Sequence, residues 1–176
     1  MNIVFLDIDG VLQPYDSENH FYEINNKTKE LVRLLSEKHD IDYSKYSIFD
    51  ILAVYYDWNK EALDRLKYLL DYTSSKIIIS SDWRSEKNLY KMRDLLAIWS
   101  LDKYWFADNT IMHNLCSNEK KRALEINNSL EKYPINNYVV LDDMKGLKDF
   151  FPNNAVITND YIKLNDMNEC IKILKK

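Results

Sequence analysis

The sequence predicts an α/β fold: a three-layer sandwich in which a mostly parallel, Rossmann-like sheet is covered by helices on both faces. Three observations predict it. The short apolar runs at residues 3–6, 77–79 and 138–141 are too continuous for strands with one solvated face, so they read as strands buried on both. Segments with leucines at helical spacing separate them, which is the alternation of βαβ units. Each run also stops abruptly at polar residues, as expected where a parallel sheet handles its ligands beyond the carboxyl ends of its strands.

The first run, 3–6, delivers Asp7, Asp9 and Gly10. From Gln13 to about Asn26 the chain turns polar, with Pro14, Asp16, Ser17, Asn19 and Asn25, and reads as a loop over the sheet edge, placed to gate a site. Residues 28–38 carry Leu31, Leu34 and Leu35 at helical spacing. Residues 41–56 mix Ile48, Phe49, Ile51, Leu52, Val54 and Tyr55 in an order that does not separate helix from strand. Asn59 caps a helix through Tyr72 with Ala62, Leu63, Leu66, Leu69 and Leu70 on one face and Glu61 with Arg65 as an i,i+4 pair. Lys76 leads into the run at 77–79, followed at once by Ser80, Ser81, Asp82, Trp83 and Arg84. Residues 89–99 read as helix and 104–106 as a short strand or turn. Ser117 reads as the cap of a helix from about Asn118 to Tyr133, bearing Ala123, Ile126 and Leu130 and stopped by Pro134. The run at 138–141 ends in Asp142 and Asp143. Val156 and Ile157 form a last strand, and an amphipathic helix through Ile171 and Leu174 closes the series.

A length of 176 residues suits one domain, spanning 1–176, with 11–56 as loop and helical decoration. A hydrophobic share of 46% and a charged share of 30% exclude disordered and fibrous classes. The net charge of -4 implies no whole-surface attraction to nucleic acid or anionic lipid, which leaves only a local basic patch for such partners. Cys116 and Cys170 lack metal-type spacing, as do His20, His39 and His113, and the first residues show no basic leader. A reducing cytoplasm and no membrane partner are expected. The tyrosines Tyr43, Tyr46, Tyr55, Tyr56, Tyr68 and Tyr72 fall in one stretch, as core material or as the interface of a homodimer. With only two glycines in the chain, Gly10 and Gly146 are both expected in tight loops at the carboxyl edge.

Three strands finishing in Asp-x-Asp-Gly, Ser-Ser-Asp-Trp-Arg and Asp-Asp bring Asp7, Asp9, Ser80, Ser81, Asp142 and Asp143 to one edge if the sheet is parallel. Carboxylates so crowded repel and rise in pKa unless a cation neutralises them, and an all-oxygen set is what Mg²⁺ prefers. Beside such an ion, Asp7 is placed to attack a phosphorus, and Asp9 to protonate the leaving group and then activate water. A serine at the second strand end can hold a phosphoryl oxygen, and Lys120, Lys121 or Arg122 can offset negative charge.

FLDIDGVL, IIISSDWR, the basic start of KKRALEI and VVLDD together resemble the four motifs of the haloacid dehalogenase-like (HAD) superfamily, in order and spacing, across residues 7–143. The Ser-Ser-Asp-Trp-Arg form of the second motif is similar to that of small HAD domains of RNA repair proteins, relatives of polynucleotide 3′-phosphatases. The resemblance implies a Rossmann-like HAD sheet, Asp7 as nucleophile, Asp9 as general acid and base, and Mg²⁺ held by Asp7, the backbone carbonyl of Asp9 and Asp142. Asp143 is either a further ligand or a turn carboxylate that orients a metal-bound water. Either Ser80 or Ser81 supplies the second-motif hydroxyl, with Ser81 favoured by the Trp-Arg alignment. For the third motif, spacing to Glu125 and Ile126 favours Lys121, with Arg122 or Lys120 as substitutes.

Members of the superfamily select substrates with an inserted cap, and the interval before Lys76 implies a small or absent one here. The expected activity is Mg²⁺-dependent hydrolysis of a phosphomonoester through an aspartyl-phosphate. The substrate is a phosphorylated small molecule or a nucleic-acid end, on which Trp83 would stack and Arg84 would touch phosphate. Against these stand Trp83 as packing and Arg84 as the partner of an acidic neighbour. A non-catalytic interaction protein that keeps the fold is the remaining class, opposed by intact Asp7 and Asp9.

Overall fold

Five parallel strands form one sheet in the order β3-β2-β1-β4-β5: β1 Asn2–Leu6, β2 Ser75–Ile79, β3 Trp105–Asp108, β4 Asn137–Asp142 and β5 Ala155–Ile157. The computed structural model describes residues 1–16, 22–84, 88, 90–108 and 118–176, except the side chain of Asn118. The readings made for Ser17, Asn19, His20, Leu89, His113, Cys116 and the Ser117 cap lie outside the described residues.

Residues of β1 alternate between two buried clusters, and so define three layers. Val4 and Leu6, with Ile77, Ile79, Val139 and Leu141, face α1 Asn26–His39, α2 Ile48–Tyr56, α3 Lys60–Thr73, α4 Lys91–Ala97 and α7 Leu164–Leu174. Ile3 and Phe5, with Ile78 and Val140, face α5 Asn118–Lys132 and the short α6 Leu147–Phe150, which the sequence did not announce. Leu35, Tyr43, Ile51 and Val54, from the decoration between β1 and α3, belong to the same buried cluster as Val4 and Leu6.

The segment that sequence pattern left undecided contains a 3₁₀ turn, Tyr43–Lys45, and then α2. A tertiary partner decides it. The buried Tyr43 donates its hydroxyl to the Asp94 carbonyl at 2.8 Å, and the Asp94 carboxylate accepts from Lys45 Nζ at 3.0 Å and Tyr46 Oη at 2.7 Å. Residues 104–106 resolve into the end of a 3₁₀ turn and the start of β3.

Helix ends show how the chain manages with two glycines. Asn25 and Thr28 form a capping box for α1, and the Asn59 side chain accepts from Ala62 N at 3.0 Å to start α3. The C-caps of these helices are left-handed, at Asp40 with φ 54° and Ser74 with φ 51°, where glycine is the usual residue. Among the described residues no helix is long and apolar enough to cross a membrane.

Candidate active site

The sheet register assembles the site. Leu6 pairs with Ile79 on one side and with Leu141 on the other, so Asp7, Ser80 and Asp142 stand level at the carboxyl edge. The ladder runs on into them: Asp7 N donates to Leu141 O at 3.0 Å and Ser80 N to Leu6 O at 2.9 Å. From β1 the chain builds outward to β2 and β3, then crosses to β4 and β5, so the strand order reverses between β1 and β4. That switch point, where a crevice opens in sheets of this class, holds Asp7 and Asp142.

One carboxylate oxygen from each of Asp7, Asp142 and Asp143 lies within 4.8 Å of the others. Asp7 is 4% exposed and Asp142 fully buried. Burial pushes both carboxyls up, and their mutual repulsion raises Asp142 further. The opposing charge comes from Arg122, itself buried, whose Nη1 lies 2.8 Å from Asp142 Oδ2 and 3.3 Å from Asp7 Oδ1. Spacing favoured Lys121 for this place. The helix phase explains the difference: Arg122, Ile126 and Ser129 are buried on the inward stripe of α5, whereas Lys121 is half-buried and Lys120 exposed.

Asp9 lies outside the three-carboxylate cluster. Both of its oxygens accept from Trp83 Nε1 at 3.0 Å, and the Trp83 ring packs edge-on against the buried Trp58 at 6.0 Å between centroids. Trp83 thus joins the second strand end to the acid of the first. Arg84 pairs at 2.9 Å with Glu125, and both side chains are almost wholly buried. Of the two serines, Ser81 favours the charged form of the Asp7 carboxyl, and its Oγ accepts from Trp83 N at 3.3 Å. Ser80 Oγ is buried without a hydrogen-bond partner among the described residues.

Gly10 adopts φ +68°, and a Cβ there would lie 2.7 Å from Tyr15 Oη and 2.8 Å from Asp143 Cβ. Glycine is required on both counts. Tyr15 Oη donates to Asp143 Oδ2 at 2.6 Å, and Thr158 Oγ1 donates to Gly10 O at 2.6 Å, closing the loop over the cluster. Neither Tyr15 nor Thr158 stands in a motif, so no sequence signal marked them. Gly146 has an ordinary right-handed conformation at the start of α6 and is crowded instead by Glu119 Cγ, 3.0 Å from its would-be Cβ.

The donor set tests the cation directly. Three carboxylates, two of them buried and held up in pKa against the Arg122 guanidinium, form an all-oxygen cluster of the kind a hard divalent ion occupies, and Asp142 Oδ1 is oriented by Met144 N at 3.0 Å. The residues fit such an ion.

A family model described as "HAD domain in Swiss Army Knife RNA repair proteins" matches residues 3–168. Neither the curated proteins nor the solved structures gave a match.

Proposed function

The chain belongs to the family of HAD domains in Swiss Army Knife RNA repair proteins, and we propose that it hydrolyses phosphomonoesters with Mg²⁺ through an aspartyl-phosphate on Asp7. The observation that carries the reading is the buried Asp7 carboxylate at the switch point, with oxygens of Asp142 and Asp143 within 4.8 Å. Membership and acidic cluster together support a hydrolase-type enzyme.

Asp7 attacks the phosphorus; the bond from phosphorus to the ester oxygen breaks, and that oxygen takes the proton held by Asp9. Asp9 then accepts a proton from water, whose oxygen attacks the acyl-phosphate phosphorus. The bond to Asp7 breaks, and inorganic phosphate leaves with the carboxylate restored. Trp83 fixes the Asp9 carboxylate for both proton transfers. Arg122 offsets the charge that three carboxylates present to an anionic substrate, and the hydroxyl of Ser81, with Ser80 as the alternative, holds a phosphoryl oxygen. Mg²⁺, held by Asp7, Asp142, Asp143 and, by the superfamily pattern, the carbonyl of Asp9, supplies positive charge to the phosphoryl oxygens when bound.

For substrate class we favour a phosphorylated RNA end, supported by the RNA repair proteins named in the family description. Phosphate release from a 3′-phosphorylated oligoribonucleotide and from a panel of small phosphomonoesters, with and without Mg²⁺, tests both parts. The expected result is Mg²⁺-dependent release with the oligoribonucleotide preferred. Equal rates on small phosphates would remove the RNA end, and no release from any substrate by folded protein would remove the hydrolase.

A further inference from the structure

Away from the carboxylate cluster, a cavity of about 510 Å³ lies where the decoration between β1 and β2 meets the end of α4. Lys38 of α1, Lys60 and Lys67 of α3, Tyr55 and Tyr56 of α2, and Trp99 line it. Among the described residues no Asp or Glu does, although the chain has 28 acidic residues against 24 basic ones. Lys60 and Lys67 are separated by about two helical turns, which puts both side chains on one face of α3. None of these three lysines has an ion-pair partner among the described residues, while Lys45, Lys91 and Lys148 elsewhere do.

The rings are ordered as well as numerous. Tyr55 and Trp99 are inclined by only 25° with centroids 6.4 Å apart, and Tyr56 meets Tyr55 edge-on at 4.9 Å. Trp99 Nε1 donates to Val54 O at 2.8 Å, which fixes the indole, while Tyr55 is 37% exposed and Tyr56 58% exposed. Like charges brought together repel, so three unpaired ammonium groups beside fixed, accessible ring faces suit a ligand that is both anionic and flat. The volume lies in the range of pockets that take ligands of nucleotide size.

We propose that this cavity binds a nucleotide unit of a single-stranded nucleic acid, with a base against the Tyr55 and Trp99 rings and phosphates against Lys38, Lys60 and Lys67. Stacking on rings beside a basic lining tolerates any sequence. It also gives an acidic protein a local contact with a polyanion. The inference stands whether or not the carboxylate cluster hydrolyses phosphate.

Fluorescence anisotropy of the full chain with a labelled oligoribonucleotide of about ten nucleotides, bearing hydroxyls at both ends and so not a substrate, tests it. The variant carrying Lys38→Gln, Lys60→Gln and Lys67→Gln is expected to bind at least about tenfold more weakly and to lose about two from the salt slope. Tyr55→Leu is expected to weaken binding severalfold with an unchanged salt slope. Release of phosphate from a small phosphomonoester, measured alongside, should be unaltered in both, so loss of hydrolysis and loss of binding are read separately. Equal RNA binding by wild type and the lysine variant would overturn the proposal, as would the absence of binding by wild type. Inorganic polyphosphate competing as well as RNA, with Tyr55→Leu silent, would reduce the cavity to an unspecific anion patch. AMP binding as tightly as the strand would replace the strand by a free nucleotide.

Discussion

The indole nitrogen of Trp83 donates to both carboxylate oxygens of Asp9 at 3.0 Å, tying the loop after β2 to the acid that follows β1. A hydrogen bond shared between two oxygens fixes the plane of the carboxylate as well as its position. Trp83→Phe keeps a ring to pack against Trp58 and removes only the donor. Its kcat is expected to fall about tenfold, the loss of one hydrogen bond to a charged group, with KM and melting temperature little changed. Steady-state kinetics beside a thermal melt check this, and an unchanged kcat would leave Trp83 as packing alone.

Arg122 stands between two buried carboxylates, at 2.8 Å from Asp142 and 3.3 Å from Asp7. Arg122→Ala leaves them without an ion-pair partner among the described residues, which should cost about 3–5 kcal/mol of metal-free stability, partly recovered by excess Mg²⁺. Lys121→Ala should stay within about 0.5 kcal/mol of wild type and remain active. Denaturant melts with and without Mg²⁺ separate the two, and a greater loss of activity in Lys121→Ala would return the third motif to Lys121.

Much of this site was legible because strand ends are periodic. Three apolar runs stopping at Asp7, Ser80 and Asp142 need only a parallel register to become neighbours, and the register is parallel. The choice within KKR was harder: α5 turns its inward stripe by a phase that only packing on Phe5, Ile78 and Val140 determines. Tyr15 reaches Asp143 across 128 residues of chain and Thr158 reaches Gly10 across 148, so neither contact has a local pattern. The 3₁₀ turn at Tyr43 depends likewise on a distant partner, Asp94. Gly10 earned its place by backbone conformation and contact, whereas Gly146 has only the crowding by Glu119.

Asp108, at the carboxyl end of β3, supplies a pH dependence. Burial pushes its carboxyl up from 3.8 to about 6, against the pull of a hydrogen bond from Trp105 Nε1 and the charge of Arg84. The native protein therefore holds a proton that the unfolded chain releases, so the stability contributed by Asp108 falls as pH rises from about 4 through about 6 and is level above. Asp108→Asn cannot ionise, and should be more stable than wild type by about 2 kcal/mol near neutral pH, with no difference near pH 4. Urea unfolding at both pH values measures the difference, and an equal effect at both would exclude titration of Asp108 as its source.

The left-handed caps at Asp40 and Ser74 carry a side chain where glycine fits without strain. Ser74 is exposed, and Ser74→Gly should add about 1 kcal/mol, a rise of about 2–4 °C in Tm. Asp40→Gly should act in the same direction. Differential scanning calorimetry checks both, and a lower Tm in Ser74→Gly would show that the entropy of the unfolded chain outweighs the relief of strain.

The central claim, that Asp7 becomes phosphorylated, is tested most directly by mass spectrometry of protein quenched in acid during turnover with Mg²⁺. A phosphoryl group on the peptide containing Asp7, absent when substrate or Mg²⁺ is withheld and absent in Asp7→Asn together with turnover, is the predicted result. Full turnover by Asp7→Asn, or a phosphoryl group carried on another residue, would contradict it.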